Sequence, residues 1–142
     1  MSQNATQTKT SNYQGPGFAK AFSSFSVNDL DEAKYFYRDT LGLNVKVEKE
    51  GLNLEFENGQ SVFIYPKPDH KAATFTILNL TVDDIQSAVD TLAAQGVKFE
   101  SYDGEMRTDE NGIMWGKREG HGPNIAWFKD PAGNYLSIVE GM

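Results

Sequence analysis

The sequence predicts an α+β fold in which one β-α-β-β-β unit occurs twice in tandem. Two observations predict it. Three sequence blocks recur in the same order in both halves, and each half carries one helical period followed by short alternating runs. The first block is Val27-Asn28-Asp29-Leu30-Asp31-Glu32-Ala33, answered 55 residues later by Val82-Asp83-Asp84-Ile85-Gln86-Ser87-Ala88. After a slip of one residue, Gly42-Leu43 meets Gly96-Val97 and Val45 meets Phe99. The third block is Gly59-Gln60-Ser61-Val62-Phe63-Ile64, resembled by Gly133-Asn134-Tyr135-Leu136-Ser137-Ile138.

The elements follow in order. Residues 1–17 are polar up to a Gly15-Pro16-Gly17 turn and read as a disordered arm. The first unit spans 18–68 and the second 74–140, giving a single domain over 18–142. Each opens on a strand, Ala19–Val27 and then Thr74–Val82. Asp29 with Glu32 has capping-box spacing, and Asp84 is the equivalent N-cap. Leu30, Ala33, Phe36, Tyr37 and Leu41 share one helical face, with Gly42 at the left-handed C-cap. Ile85, Ala88, Val89 and Leu92 repeat the face and Gly96 repeats the stop. Extended runs close the first unit at Asn44–Glu48, Leu52–Glu57 and Ser61–Tyr65. In the second they are Lys98–Tyr102, a run within Arg107–Trp115, Ile125–Phe128 and Tyr135–Glu140, one more than the repeat requires.

Composition narrows the function. With 142 residues, 39% of them hydrophobic, the chain can bury roughly 68–70% of its unfolded surface and needs no disulfide or metal staple. It has no cysteine, which excludes disulfide scaffolds, thiolate metal sites, iron–sulfur clusters and cysteine nucleophiles. A net charge of −7 argues against nucleic acid or an anionic membrane as partner. No run approaches the roughly 18 apolar residues of a membrane span, and a cytoplasmic location is expected. Nine Phe, six Tyr and two Trp remain to be placed.

The first block, with Phe36-Tyr37 and Leu41-Gly42-Leu43, and the stretch Ala126-Trp127-Phe128-Lys129-Asp130-Pro131-Ala132-Gly133-Asn134-Tyr135-Leu136 resemble the vicinal oxygen chelate superfamily. Its members include glyoxalase I, the bleomycin-resistance proteins and the extradiol dioxygenases. The resemblance covers roughly 18–140 and implies two modules whose curved mixed sheets form one cleft. It also implies, for the metalloenzymes, one divalent ion held from the first and last strand of each half. Counting five residues back from Val27 and Val82 gives Phe22 and Ile77; four beyond Gly59 and Gly133 gives Phe63 and Ser137. These four offer no imidazole or carboxylate, so neither the family metal nor any other cofactor is expected. A relocated ion using His121 with Glu55, Glu105 or Glu119 is the alternative, while His70 falls in a Pro-broken connection.

Alternation along the strands then predicts the cleft wall. Phe22, Ser24, Phe63, Tyr65, Ile77, Asn79, Trp127, Tyr135 and Ser137 are the expected ligand-binding residues, with Lys20 at the edge and Trp115 near the mouth. An aromatic wall with a few hydroxyls and one amide suits a small hydrophobic or aromatic molecule. The expected function is metal-independent binding of such a molecule, as in a sequestering or resistance protein. The alternative is a lyase, isomerase or dioxygenase of the glyoxalase type. The resemblance further implies a homodimer, in some members with modules exchanged between subunits.

Overall fold

Ser and apolar residues alternate in the first strand, β1 (Ser23–Val27), which puts Phe25 and Val27 in the core and Ser24 and Ser26 on the other face. This computed structural model describes residues 15–141. The arm expected over 1–17 lies outside the described residues except at Gly15, Pro16 and Gly17. The first strand starts later than expected: Lys20, Ala21 and Phe22 precede β1 and are exposed.

Asp29 caps the first helix, α1 (Leu30–Tyr35), by accepting a hydrogen bond from the Glu32 amide at 3.0 Å. The helix then widens into a π-helical turn over Phe36–Thr40, closed by the Leu41 amide donating to the Phe36 carbonyl. The wider turn carries Tyr37 into the core, where it is 0% exposed. Gly42 adopts φ of +72°, the left-handed conformation expected at this stop. Strands β2 (Asn44–Glu48), β3 (Gly51–Glu55) and β4 (Ser61–Pro66) complete the first unit. Its sheet has the order β1-β4-β3-β2, with β1 parallel to β4 and the other pairs antiparallel.

The second unit builds the same sheet from β5 (Thr76–Val82), β6 (Ile113–Trp115), β7 (Asn124–Lys129) and β8 (Tyr135–Glu140), in the order β5-β8-β7-β6. Asp84 caps its helix, α2 (Ile85–Ala94), as expected, and Glu140 reinforces the start by accepting from the Ile85 amide at 2.9 Å. The two units therefore share one plan, β-α-β-β-β, and the fold is α+β with two open four-stranded mixed sheets.

Three expectations need correction. Lys98–Tyr102 forms no strand: it touches the sheet through one bridge, Phe99 with Phe128. The surplus run thus disappears, and of Arg107–Trp115 only Ile113–Trp115 pairs. Between these segments Asp109 ties the chain locally, its carboxylate accepting from the Asn111 and Ile113 amides and from the Trp115 indole. That network sets its carboxyl below the usual range against the opposing effect of desolvation. A short helix, α3 (Gly116–Glu119), was not expected from its Gly-rich surroundings. Gly116 fits there because a Cβ would collide with the Pro123 carbonyl.

Both helices pack on the same side of their own sheets, and one core joins the two units through Val27, Tyr37, Leu54, Ile64, Phe128 and Leu136, among others. Phe36 reaches across from the first unit to Phe128 in the second, centroids 6.3 Å apart. The Asp130–Asn134 turn, between β7 and β8, is the junction. Asp130, itself buried, accepts from the Ala132 and Asn134 amides, the Asn134 side chain and, at 2.6 Å, the Tyr37 hydroxyl. Asn134 donates onward to the Ser26 carbonyl of β1 at 3.0 Å. His70, from the connection between units, joins the same cluster: its Nε2 lies 3.0 Å from the Ala132 carbonyl and its Nδ1 2.7 Å from the Ser26 hydroxyl. A carbonyl only accepts, so Nε2 donates to Ala132, and the Ser26 hydroxyl is the hydrogen-bond partner of Nδ1. His70 thus links the connecting segment to both units.

Tyr37→Phe removes one charge-assisted bond from this junction while leaving Asp130 three donors. Urea unfolding is expected to show a loss of about 2 kcal/mol with an unchanged slope. Glu140 is held below its ordinary pKa, first by the Ile85 amide and then by the Asn124 side chain. A depressed carboxylate contributes stability above its unfolded pKa and loses it as pH falls through the folded one. Glu140→Gln is therefore expected to flatten the acid limb of a melting-temperature profile and to leave the rest of its slope unchanged.

Candidate functional site

Each sheet has one face against the shared core and one face away from it. On the first sheet the face away from the core carries Ser24, Phe63 and Tyr65, aligned by the Ser24–Phe63 and Ser26–Tyr65 pairings. Phe63 and Tyr65 lie nearly parallel, centroids 6.4 Å apart at 16°. On the second sheet the corresponding face carries Asn79, Trp127, Tyr135 and Ser137, with Asn79 paired to Ser137 and Trp127 to Ser137. Ser137 is 0% exposed and donates a 2.5 Å hydrogen bond to the Asn79 amide oxygen. Since both sheets lend their other faces to one core, these two sets point away from each other within the chain.

Phe22 and Ile77 belong to neither face. Phe22 precedes β1, is 62% exposed, and borders a separate groove that also receives Ile77 and Asn79. The reason at Ile77 is a bulge. Thr76 pairs with Tyr135 and Leu78 with Leu136, so Ile77 is an extra residue and the period-two count fails across it. Thr76, not Ile77, precedes Asn79 on the open face. Lys20, expected at the cleft edge, is exposed ahead of β1.

The second sheet's open face contains a pocket of about 310 Å³ lined by Thr74, Phe75, Thr76, Tyr102, Met106, Trp127 and Tyr135. Tyr102 and Trp127 meet edge to face, centroids 5.6 Å apart at 75°. Phe75 is 67% exposed and Met106 49% exposed, so apolar surface remains uncovered at the rim. Burial, then the nearby Glu100 carboxylate, raises the Tyr102 pKa, keeping its phenol neutral. The Lys129 ammonium lies 5.0 Å from the Tyr135 ring. Sequence reasoning found Trp127 and Tyr135 but missed Tyr102 and Met106, which reach the pocket from the segment that was expected to be a strand and its following turn.

The positions at which the resemblance placed metal ligands hold Phe22, Phe63, Ile77 and Ser137, and the one hydroxyl among them is engaged by Asn79. The donor set does not fit a divalent ion. Among the described residues no group of three or more His, Asp or Glu side chains is placed to hold one elsewhere. His70 is occupied at the junction, and His121 is exposed after α3. Among the described residues no helix is long and apolar enough to cross a membrane.

The family model described as the Glyoxalase/Bleomycin resistance protein/Dioxygenase superfamily matches residues 21–138. The chain belongs to this superfamily. Among solved structures, it is similar to lactoylglutathione lyase from Agrobacterium tumefaciens, at 21% identity and a TM-score of 0.59 over 89% of this chain and 96% of that one. It is also similar to the antibiotic-binding protein TnmS3 from Streptomyces sp. CB03234, at 20% identity and a TM-score of 0.57, covering 89% of this chain and 100% of the other. The fosfomycin resistance protein FosX from Listeria monocytogenes gives 12% identity and a TM-score of 0.62, covering 88% and 94%. At these identities the likeness is one of fold. No curated protein matches the sequence.

Purified protein dialysed against nickel, zinc or manganese and then against buffer is expected to retain far less than one ion per chain by elemental analysis. A chelator is expected to leave its melting temperature unchanged.

Proposed function

We propose that this superfamily member binds a small planar aromatic molecule without a metal, as a sequestering or resistance-type protein. The pocket of Phe75, Tyr102, Met106, Trp127 and Tyr135 carries the reading. Flat rings stack on Trp and Tyr faces, and each such pair contributes about 0.5–1.5 kcal/mol beyond the area it buries. Thr74 and Thr76 line the same pocket and supply the few polar groups that orient a ligand. The metal positions, with Phe22, Phe63, Ile77 and Ser137, support binding over the metal-dependent chemistry of an enzyme of the glyoxalase type.

We also propose a homodimer. β1 and β5 end their sheets, and Phe63, Tyr65, Trp127 and Tyr135 are only half-buried. A second copy laying its Phe63 and Tyr65 face over the aromatic pocket would enclose the ligand between subunits, which the two outward-facing sets cannot do within one chain. A charge of −7 argues against nucleic-acid or anionic-membrane partners, which form no part of this reading.

Calorimetric titration with 2-naphthol as the aromatic probe and cyclohexanol as its aliphatic control tests the proposal. 2-Naphthol is expected to bind and cyclohexanol to bind much more weakly. Trp127→Ala is expected to weaken 2-naphthol about tenfold, the loss of one good aromatic contact. Equal affinity in the wild type and the variant would overturn the assignment. Stoichiometric metal together with turnover of an α-ketoaldehyde hemithioacetal would favour the enzyme instead.

A further inference from the structure

The duplication makes the two sides of the molecule comparable residue by residue, and they differ. Phe36 and Tyr37 lie six and seven residues after Leu30; Thr91 and Leu92 lie six and seven after Ile85. The turn after β3 is likewise the counterpart of the turn after β7. The Phe56 amide donates to the Gln60 carbonyl at 3.0 Å where the Asp130 amide donates to the Asn134 carbonyl at 2.9 Å. The Gly59 amide returns to the Phe56 carbonyl at 3.0 Å where that of Gly133 returns to Asp130 at 2.9 Å. Phe56 thus stands for Asp130 and Gln60 for Asn134.

On one side these positions are filled and bonded, by the Phe36–Phe128 contact and the Tyr37–Asp130 hydrogen bond. On the other side, Thr91 replaces a phenylalanine, Leu92 replaces the tyrosine, and Phe56 replaces the carboxylate. The bonded junction has no polar equivalent there. What remains is a groove of about 930 Å³ between α2, the Phe56–Gln60 turn and the free edge of β5. Its wall is mostly aliphatic, from Leu41, Leu43, Leu80, Val82 and Leu92, with Phe22 and Phe56 as its two rings. Its polar border includes Asn58, Gln60 and Thr91 with Asn79 and Thr81 of β5, and Glu57 is the one charged residue lining it.

We propose that this groove is a second ligand site, separate from the aromatic pocket, for a neutral and largely aliphatic molecule. The volume lies in the range of small-molecule sites, roughly 300–1,000 Å³. The wall chemistry selects alkyl or alicyclic groups, because aliphatic side chains outnumber the two rings, Phe22 and Phe56, that border it. Glu57 and the net charge of −7 select against an anionic head group. The apolar residues there are only half-buried, and a ligand completes the burial that Phe36 and Tyr37 achieve on the opposite side.

The test uses the whole chain and the neutral fluorescent probe N-phenyl-1-naphthylamine, displaced by 1-decanol or by decanoate. 1-Decanol is expected to displace it at least tenfold more effectively than decanoate at pH 8. Thr91→Phe, which restores the ring present at Phe36, is expected to weaken the 1-decanol-displaceable binding at least tenfold and to raise the melting temperature. Thr91→Glu, placed on the exposed side of α2, is expected to weaken it without the rise. Trp127→Ala is expected to change it less than twofold, which separates this site from the aromatic pocket. Unchanged binding in both Thr91 variants overturns the proposal, as does preference for decanoate. Sedimentation of the wild type as a dimer and of Thr91→Phe as a monomer also overturns it, because the groove is then the surface covered by a second copy.

Discussion

Asp130 is the residue on which the architecture depends. A carboxylate taken out of water is tolerable only when its lone pairs are satisfied, and here four donors converge on it. Two are backbone amides of its own turn, one is the Asn134 side chain, and the fourth is Tyr37 from the other unit. The local bonds shape the turn between β7 and β8; the distant one fixes where the first helix lies. Through Asn134 and His70 the same turn holds both β1 and the connecting segment. The reciprocal effect is visible at Tyr37, whose pKa is raised well above its ordinary value by burial and then by the carboxylate beside it.

This constraint decides which faces are available for binding. Phe36 of the first unit lies over Phe128 of the second and one core takes the helix-bearing faces of the sheets, so Phe63 and Tyr65, or Trp127 and Tyr135, lie on the faces away from it. The aromatics therefore divide by strand parity: Phe25 and Phe128 are core, while their neighbours in the alternation are free to meet a ligand or a second subunit. The acidic surface and the apolar open faces are compatible because the charge is carried largely by turns and helix exteriors.

Much of this was legible in the residues. Asp29 and Asp84 marked helix starts because their side chains satisfy orphan amides, a local requirement that sequence spacing reports directly. Tyr135–Glu140 was placed to the residue, since a buried strand bounded by a Gly-Asn turn has few alternatives. What escaped depended on distant partners. Nothing local marks Ile77 as a bulge, because its register is set by Tyr135 and Leu136 some sixty residues away. Lys98–Tyr102 has the alternation of a strand, yet only Phe99 finds a ladder partner. His70 falls in a Pro-broken connection, and its two partners become neighbours only once both units are docked. The aromatic pocket was half legible for the same reason: Trp127 and Tyr135 follow from strand parity, whereas Tyr102 and Met106 arrive from irregular chain.

The bulge at Ile77 has a consequence for how readily this protein could exchange its chemistry. A side chain at 77 is directed out of the ladder that holds Asn79 and Ser137, so a ligating residue substituted there would not converge with those on β8. Building such a constellation requires a change in chain length, removal of one residue between Thr76 and Leu78, as well as new side chains. Point substitutions are frequent and reversible in evolution, whereas a register-shifting deletion beside a parallel pair passes through misaligned intermediates. The bulge thus ties the chemistry available on this sheet face to chain length as well as to residue identity.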